Sequence, residues 1–444
     1  MKIKKPNIVL IITHDSGCHF GCYGVPTVNT PNIDNLASEG ILLTNMYATS
    51  SICSPSRASL LSGQWPQNNG VVGLASYPYN WDFTNPKRHL SHICRNSGYK
   101  TMLFGMHHDM LDSSKMGDLV DPCPISEKEE SRFAVRTAKA FAKFIKKEST
   151  SFQKPFYAQI GFFETHTPFS FGGVQPDNSK GVWIPPYVEE NSGKYLFKKH
   201  SGQKVDPFDK ISMQNYISAM QGSFKCADEA VGIILNALRE NNLEENTIII
   251  FTTDHGVELP RAKWTMYDAG IKIAFIIKWH AAGIKGGKKI DHLLSNVDFL
   301  PTLAELADLK INHKMDGKSF LNLLTGKSSK PIRDTVYSLF VNEELYCART
   351  NRYKLIRFFQ EGSEYDNNGN AVLRRFVQLY DLLNDPLEMH DLANNPAYAD
   401  VRKDMDSRLF KWMKSVKDPI LKGPIPTPFY KNAMHDFLKE KYIK

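Results

Sequence analysis

Four apolar runs of this sequence end in residues that can bind a cation or move a proton. Residues 7–12 (NIVLII) lead into Thr13-His14-Asp15, and 247–251 (TIIIF) into Thr252-Thr253-Asp254-His255. Residues 99–104 (YKTMLF) lead into Gly105-Met106-His107-His108, and 156–163 (FYAQIGFF) into Glu164-Thr165-His166. One histidine at a strand end is usually a satisfied polar side chain. Four such ends on neighbouring parallel strands converge on one rim, because ligands of an open parallel sheet sit beyond its carboxyl ends. Asp15 and Asp254 offer hard oxygens to a divalent metal, and His14 or His255 adds a softer nitrogen. The remaining histidines can protonate a leaving group or orient a nucleophile. That combination favours a metal-assisted hydrolase over a binding module.

The stretch SSICSPSRASLLSGQ, residues 50–64, adds a second kind of chemistry. Cys53 there either packs as a small hydrophobe or reacts. Pro55 suits the first turn of a helix, which would put Cys53 where free backbone N–H groups attract anions. Arg57, one turn on, could balance negative charge on a nucleophile. Such surroundings activate a thiolate. Yet no Cys-His-Asn protease signature stands near it, and a thiol is an odd partner for a hard metal.

The elements that must hold these residues are short strands rich in branched side chains, without polar alternation, as in buried parallel sheets. Residues 273–279 (IAFIIKW) read as a further such strand. Between them, residues 126–147 read as a helix opening on a Ser126–Glu129 capping box, with Val135, Ala138, Ala142 and Ile145 on one face. Residues 215–241 read as a longer helix with a stripe of Val231, Ile234, Leu235 and Leu238. Alternating strands and helices predict an α/β fold, a large and mostly parallel sheet covered by helices on both faces. Residues 168–212, polar and rich in Gly and Pro, read as a long functional loop. From residue 331 the pattern changes to short strand-like pieces, a helix near 398–416 and a Pro-rich tail. The expected division is a catalytic domain over 1–330 and a smaller α+β subdomain with an antiparallel sheet over 331–444.

Composition narrows the partners. The chain has 444 residues and a net charge of +8 without a block of Lys and Arg, which excludes a nucleic-acid footprint and fits some attraction for anionic substrates. Seven scattered cysteines argue against a disulfide framework, and no second Cys/His pair completes a zinc site with Cys18 and Cys22. No apolar run approaches the ~20 residues of a membrane span. The basic start and the short run at 8–12 do not make a secretory signal, so a cytoplasmic location is expected. No feature of the sequence indicates an oligomeric state.

Residues 53–57 (CSPSR), with Leu60, Leu61, Ser62 and Gly63, match a C-x-P-x-R signature. With residues 30–48, 296–307, 348–358 and 379–396 in this order, the chain resembles the formylglycine-dependent sulfatases of the alkaline-phosphatase superfamily. Within them, residues 50–64 and 68–74 (NNGVVGL) look closest to the sulfamidase-like branch acting on heparan-type glucosamine. The resemblance implies that a maturation enzyme oxidises Cys53 to formylglycine, whose hydrated aldehyde attacks sulfur and then expels sulfate through its second hydroxyl. It implies a divalent metal, calcium first, at Asp15, Asp254, His255 and the modified Cys53. His14 stands where the family has Asp, which brings Mn²⁺, Zn²⁺ or Fe²⁺ into range. It further implies that Arg57 steadies the formylglycine beside His108, that His166 contacts the leaving oxygen, and that Lys263 binds sulfate oxygens. Met106 replaces a sulfate-binding lysine, a charge that His107 could supply. The expected substrate is a sulfated saccharide of glycosaminoglycan type. The alternatives are a phosphonate monoester or phosphodiester hydrolase of the same superfamily, and an inactive glycan-binding homologue.

Overall fold

The computed structural model describes residues 4–112, 118–121, 130–148, 153–191, 193–202, 204–365, 368, 370–373 and 376–439. The Ser126–Glu129 capping box lies outside them. Strands β1 (Asn7–Thr13), β2 (Ile41–Tyr47), β3 (Lys100–Gly105), β4 (Asp118–Asp121), β5 (Phe156–Gly161), β6 (Thr247–Thr253), β7 (Lys272–Lys278), β8 (Lys288–Ile290) and β9 (Leu294–Ser295) form one sheet. Their order is β4-β3-β5-β1-β6-β7-β2-β8, with β9 also on β2. The three strands that carry the rim motifs around β1 are parallel to it or to each other, as expected.

The strand at 273–279 runs the other way. β7 is antiparallel to both β6 and β2. A parallel neighbour would need a crossover returning to the amino ends of the strands. Residues 254–271 instead stay at the carboxyl end, with only the short helical turn Asp268–Ile271, and the chain turns straight back. This turn keeps Asp254, His255, Glu258 and Lys263 on the rim.

Both sheet faces are covered. Val9 and Ile11 of β1 pack in one layer with Ile52 and with helices α1 (Pro31–Glu39), α3 (Phe133–Glu148) and α4 (Lys210–Glu240). Ile8, Leu10 and Ile12 face Leu60 and Leu61 of α2 (Cys53–Ser62) and Leu300 and Leu303 of α5 (Phe299–Ala307). Of the expected stripes of α3 and α4, Val135, Ala138, Ile145, Val231, Ile234, Leu235 and Leu238 lie in the first layer, whereas Ala142 is only partly buried and stands outside it. Helix α4 starts at Lys210, earlier than the apolar pattern, because the Asp209 carboxylate accepts the Ser212 N–H at 2.6 Å and caps it.

A second, antiparallel sheet joins β10 (Val336–Phe340), β11 (Leu345–Arg349) and β12 (Tyr353–Phe358); after a ribbon of β13 (Ser363–Tyr365) and β14 (Ala371–Leu373), β15 (Val377–Asp381) completes it. Helix α6 (Ala399–Ser415) packs on it through Met405 and Leu409. It docks beside the start of α2: Leu339 N–H donates to Thr49 O at 3.0 Å, and Ser338 Oγ donates to Ala48 O at 2.6 Å. Residues 168–212 hold short helical turns at Phe171–Gly173, Pro186–Val188 and Lys194–His200. The Pro-rich tail ends in a further helix, Pro428–Lys439.

Candidate active site

The site begins with two strained turns. Asp15 leaves β1 with φ 45°, and His108 comes after β3 with φ 57°. Both are left-handed conformations that cost of order 1–2 kcal/mol for residues with a Cβ. At Gly161 an added Cβ would lie 1.7 Å from Met106 O, so only glycine lets the 106–108 segment cross the end of β5. These turns bend His14, Asp15 and His108 over the end of the sheet, facing the start of α2.

Helix α2 is buried along its whole length. Asn296 Nδ2 donates to Ser56 O at 3.0 Å and to Ser56 Oγ at 2.9 Å, while Ser56 Oγ donates to Asp254 O at 2.5 Å. The first turn is thereby tied to the end of β6. Arg57 is fully buried. Its Nε donates to Asp254 Oδ2 at 3.0 Å, one terminal nitrogen to Thr13 O at 2.9 Å and the other to His107 O at 3.3 Å.

Around Cys53 the ligand atoms of His14, Asp15, Cys53, Asp254 and His255 all lie within 4.8 Å of one another, and all five residues are buried. Cys53 Sγ is 3.4 Å from His255 Nε2 and 3.7 Å from His14 Nδ1. The His255 Nδ1 lies 3.0 Å from Gly256 O, so the hydrogen-bond network assigns the proton to Nδ1 and a lone pair to Nε2. That lone pair faces Asp15 Oδ1 at 3.2 Å. An acceptor facing a carboxylate oxygen is stable when a cation lies between them. Burial drives the His14 imidazole down to about 3 and lowers that of His255 as well, leaving both neutral and fit to ligate. The donor set therefore fits a divalent metal.

Both carboxylates are ionised. Burial pushes the Asp15 carboxyl up, but Lys263, His166 and His255 outweigh it and hold it well below the usual range. Asp254 is likewise depressed, by His255, His14 and Arg57 against its burial. The Cys53 thiol goes the other way, pushed well above its ordinary value by burial and then by Asp254. It is a neutral thiol rather than a thiolate nucleophile.

Toward solvent, Lys263 Nζ donates to Asp15 Oδ2 at 2.6 Å and to Glu258 Oε2 at 3.3 Å, and lies 3.4 Å from His166 Nε2. His166 Nδ1 is 2.6 Å from Thr167 O, which turns Nε2 toward the cluster. The His166 and His14 rings meet edge to face at 4.9 Å, and His108 lies 5.7 Å from His14. Burial, with Arg57, lowers the His108 imidazole to about 4. His107 sits at the edge, its Nδ1 3.5 Å from Asp109 Oδ1.

All ten residues singled out in the sequence stand on this rim. Others were missed. Glu258, buried, receives Thr167 Oγ1 at 3.2 Å as well as Lys263. Ser16 and Thr165 share a 2.7 Å bond beneath His14, and His89 reaches Asp109 at 2.9 Å. Lone polar residues carry no spacing signal, although Asp109, two residues past His107 in the run GMHHD, could have been paired with it.

The sulfatase family profile matches residues 6–309, and the profile of the N-sulphoglucosamine sulphohydrolase C-terminal region matches residues 261–415. An ulvan-active sulfatase of Formosa agariphila is 29% identical, covering 96% of this chain and 83% of its own. The human N-sulphoglucosamine sulphohydrolase is 24% identical over 94% of this chain and 92% of its own. A solved structure of a protein in complex with its substrate D-glucosamine-2-N,6-O-disulfate superposes with a TM-score of 0.76 at 21% identity, covering 95% and 99% of the two chains. The phosphonate monoester hydrolase of Agrobacterium radiobacter shares the fold at a TM-score of 0.71 and 20% identity, over 93% and 96%. With the profile spanning more than half of its length, and with these residues at its rim, the chain belongs to the sulfatase family.

Proposed function

We propose that this sulfatase removes sulfate from a sulfated saccharide of the glycosaminoglycan or ulvan type, using a formylglycine made from Cys53 by a maturation enzyme. The carrying observation is Cys53 itself. It is neutral, buried at the first turn of α2, and within 3.4–3.7 Å of two metal-competent imidazoles. A thiol so held does little as a nucleophile, whereas its hydrated aldehyde would offer one hydroxyl to attack sulfur and a second to release the product. The names of the relatives support the substrate class.

Asp15, Asp254, His255, the modified Cys53 and His14 would hold a divalent metal. Calcium suits the carboxylates, and Mn²⁺, Zn²⁺ or Fe²⁺ are favoured as more imidazoles ligate. When bound, it supplies Lewis-acid polarisation of the nucleophile and the sulfate. Arg57 anchors Asp254 and so fixes the depth of the first turn. We assign His108, kept neutral by its burial, the role of taking a proton from the nucleophile. His166 turns Nε2 toward the cluster, and in its doubly protonated form that nitrogen would give a proton to the leaving oxygen or nitrogen. Lys263 neutralises Asp15 and offers positive charge to the transferred group. We place the division between the catalytic and C-terminal parts near residue 330, because the second sheet begins at Val336.

The test is enzyme produced with and without a formylglycine-generating partner. The peptide holding Cys53 should become lighter, and sulfate release should appear with that change alone. An aryl phosphonate monoester assayed beside an aryl sulfate should give the lower kcat/KM; the reverse order would assign the chain to phosphonate hydrolysis.

A further inference from the structure

Glu258 follows no apolar run and belongs to no motif, yet two limbs of the site meet on it. It is 1% exposed, and one of its oxygens lies within 4.8 Å of ligand atoms of both Asp15 and His166. A carboxylate so buried is stable only when its charge is answered. Among the described residues Lys263 alone forms an ion pair with it, Nζ to Oε2 at 3.3 Å. Thr167 Oγ1 donates to both oxygens, at 3.3 Å and 3.2 Å. Both partners donate, so Glu258 is held as an acceptor.

Each partner leads to a group that faces the substrate. A lysine ammonium has three donors. Asp15 Oδ2 takes one at 2.6 Å and Glu258 Oε2 another at 3.3 Å, while His166 Nε2 stands 3.4 Å away, the longest of the three. Two anchored donors fix the direction of the third, whereas one anchor lets the ammonium swing about its last bond. Asp15 is also a metal donor, so its hold on Lys263 weakens when a divalent cation answers its charge. Glu258 stands outside that five-residue cluster. The loop itself keeps the pair together, Lys263 N–H donating to Val257 O at 2.9 Å. On the other limb Thr167, fixed by its hydroxyl, presents the carbonyl that lies 2.6 Å from His166 Nδ1 and sets the imidazole plane.

Resting on the sulfatase reading above, we propose that Glu258 is a positioning residue that aims Lys263 at the transferred sulfate and, through Thr167, aims His166 at the leaving oxygen. One buried carboxylate thus keeps the two groups in a fixed relation, so their geometry is set before the substrate arrives. Glu258 acts through these two side chains and not on the substrate.

The test uses mature enzyme and two aryl esters: 4-nitrophenyl sulfate, whose phenolate leaves readily, and phenyl sulfate, whose phenolate depends more on a proton. Thr167→Val cuts the His166 limb and keeps the ion pair. Its kcat/KM should fall at least about tenfold more with phenyl sulfate than with 4-nitrophenyl sulfate, while Thr167→Ser, which keeps the hydroxyl, should match wild type. Glu258→Gln keeps the shape but loses the charge, and should lower kcat/KM for 4-nitrophenyl sulfate about ten- to a hundredfold. In a Lys263→Met background the same change should cost that ester nothing further, because Glu258 acts there through Lys263. Losses that multiply in the double variant, or equal falls for the two esters in Thr167→Val, would overturn the proposal. If Glu258→Gln fails to fold, the contrast between Thr167→Val and Thr167→Ser decides alone. A mature wild type that hydrolyses neither ester sinks the sulfatase reading, and this proposal with it; turnover with equal falls sinks this proposal alone.

Discussion

Replacing Arg57 probes the packing that sets Cys53 against the two carboxylates. Arg57→Ala removes three donors from a fully buried place: one to Asp254 Oδ2 and two to the carbonyls of Thr13 and His107. Breaking one side of a buried ion pair costs about 3–5 kcal/mol, and two carbonyls left without donors raise the total toward the upper end. A chain of 444 residues has an unfolding entropy of about 0.9 kcal/mol/K, scaled per residue. The apparent Tm should therefore fall by about 5 °C in Arg57→Ala. Arg57→Lys keeps the charge but not the fork, costs about 1–2 kcal/mol and should lower Tm by about 2 °C. Both are read by thermal melts of chelator-treated protein at one scan rate. Sulfate release should fall at least about a hundredfold in Arg57→Lys, because Asp254 and the first turn of α2 lose their common anchor. A Tm for Arg57→Ala within 1 °C of wild type would refute the reasoning, since three buried bonds cannot vanish at so small a cost.

Chelation should abolish turnover and lower Tm by about 3 °C relative to enzyme at a hundred times its metal Kd, with both restored by adding metal back; a Tm indifferent to chelator would contradict the donor set. His14→Asp should shift metal preference toward calcium over zinc in the same melts, as oxygen replaces nitrogen. Glu343 is held down to about 2, His200 and Lys199 overcoming the upward push of its burial. A depressed carboxyl stabilises the fold above its unfolded value near 4.5 and loses that contribution as pH falls toward 2. Wild type should therefore lose about 2 kcal/mol across that window which Glu343→Gln does not, as read from acid-unfolding midpoints. Equal midpoints would show that this clamp between residues 194–200 and the second sheet is not closed in solution.

Much of the rim was legible because buried strands are apolar runs, and the residues next after each run lie at its carboxyl end. That rule locates His14, Asp15, Asp254, His255, His108 and His166 from sequence. It could not give the direction of β7, since a strand buried on both faces has the same composition whether parallel or antiparallel. β2 and β11 were missed for another reason. β11 is short, Leu345–Arg349, whereas β2 is as long as β1 but bulges between Leu43 and Met46, which breaks its pattern. Lys263 needed the family resemblance, because a lysine in a loop says nothing of the carboxylates it will meet. Asn296 and His89 act through contacts distant in sequence, and Glu258 meets Lys263 within a loop that has no period as well as the distant Thr167, so no local spacing announced them. The buried neutral state of Cys53 was likewise invisible until its neighbours were in place.

The most direct measurement is inorganic sulfate released from sulfated glycosaminoglycan and ulvan saccharides by the matured enzyme, with Cys53→Ala beside it. The account requires release by the matured protein in step with the fraction of Cys53 converted, and none by the variant. Release by Cys53→Ala, or by protein whose Cys53 is unconverted, would contradict it.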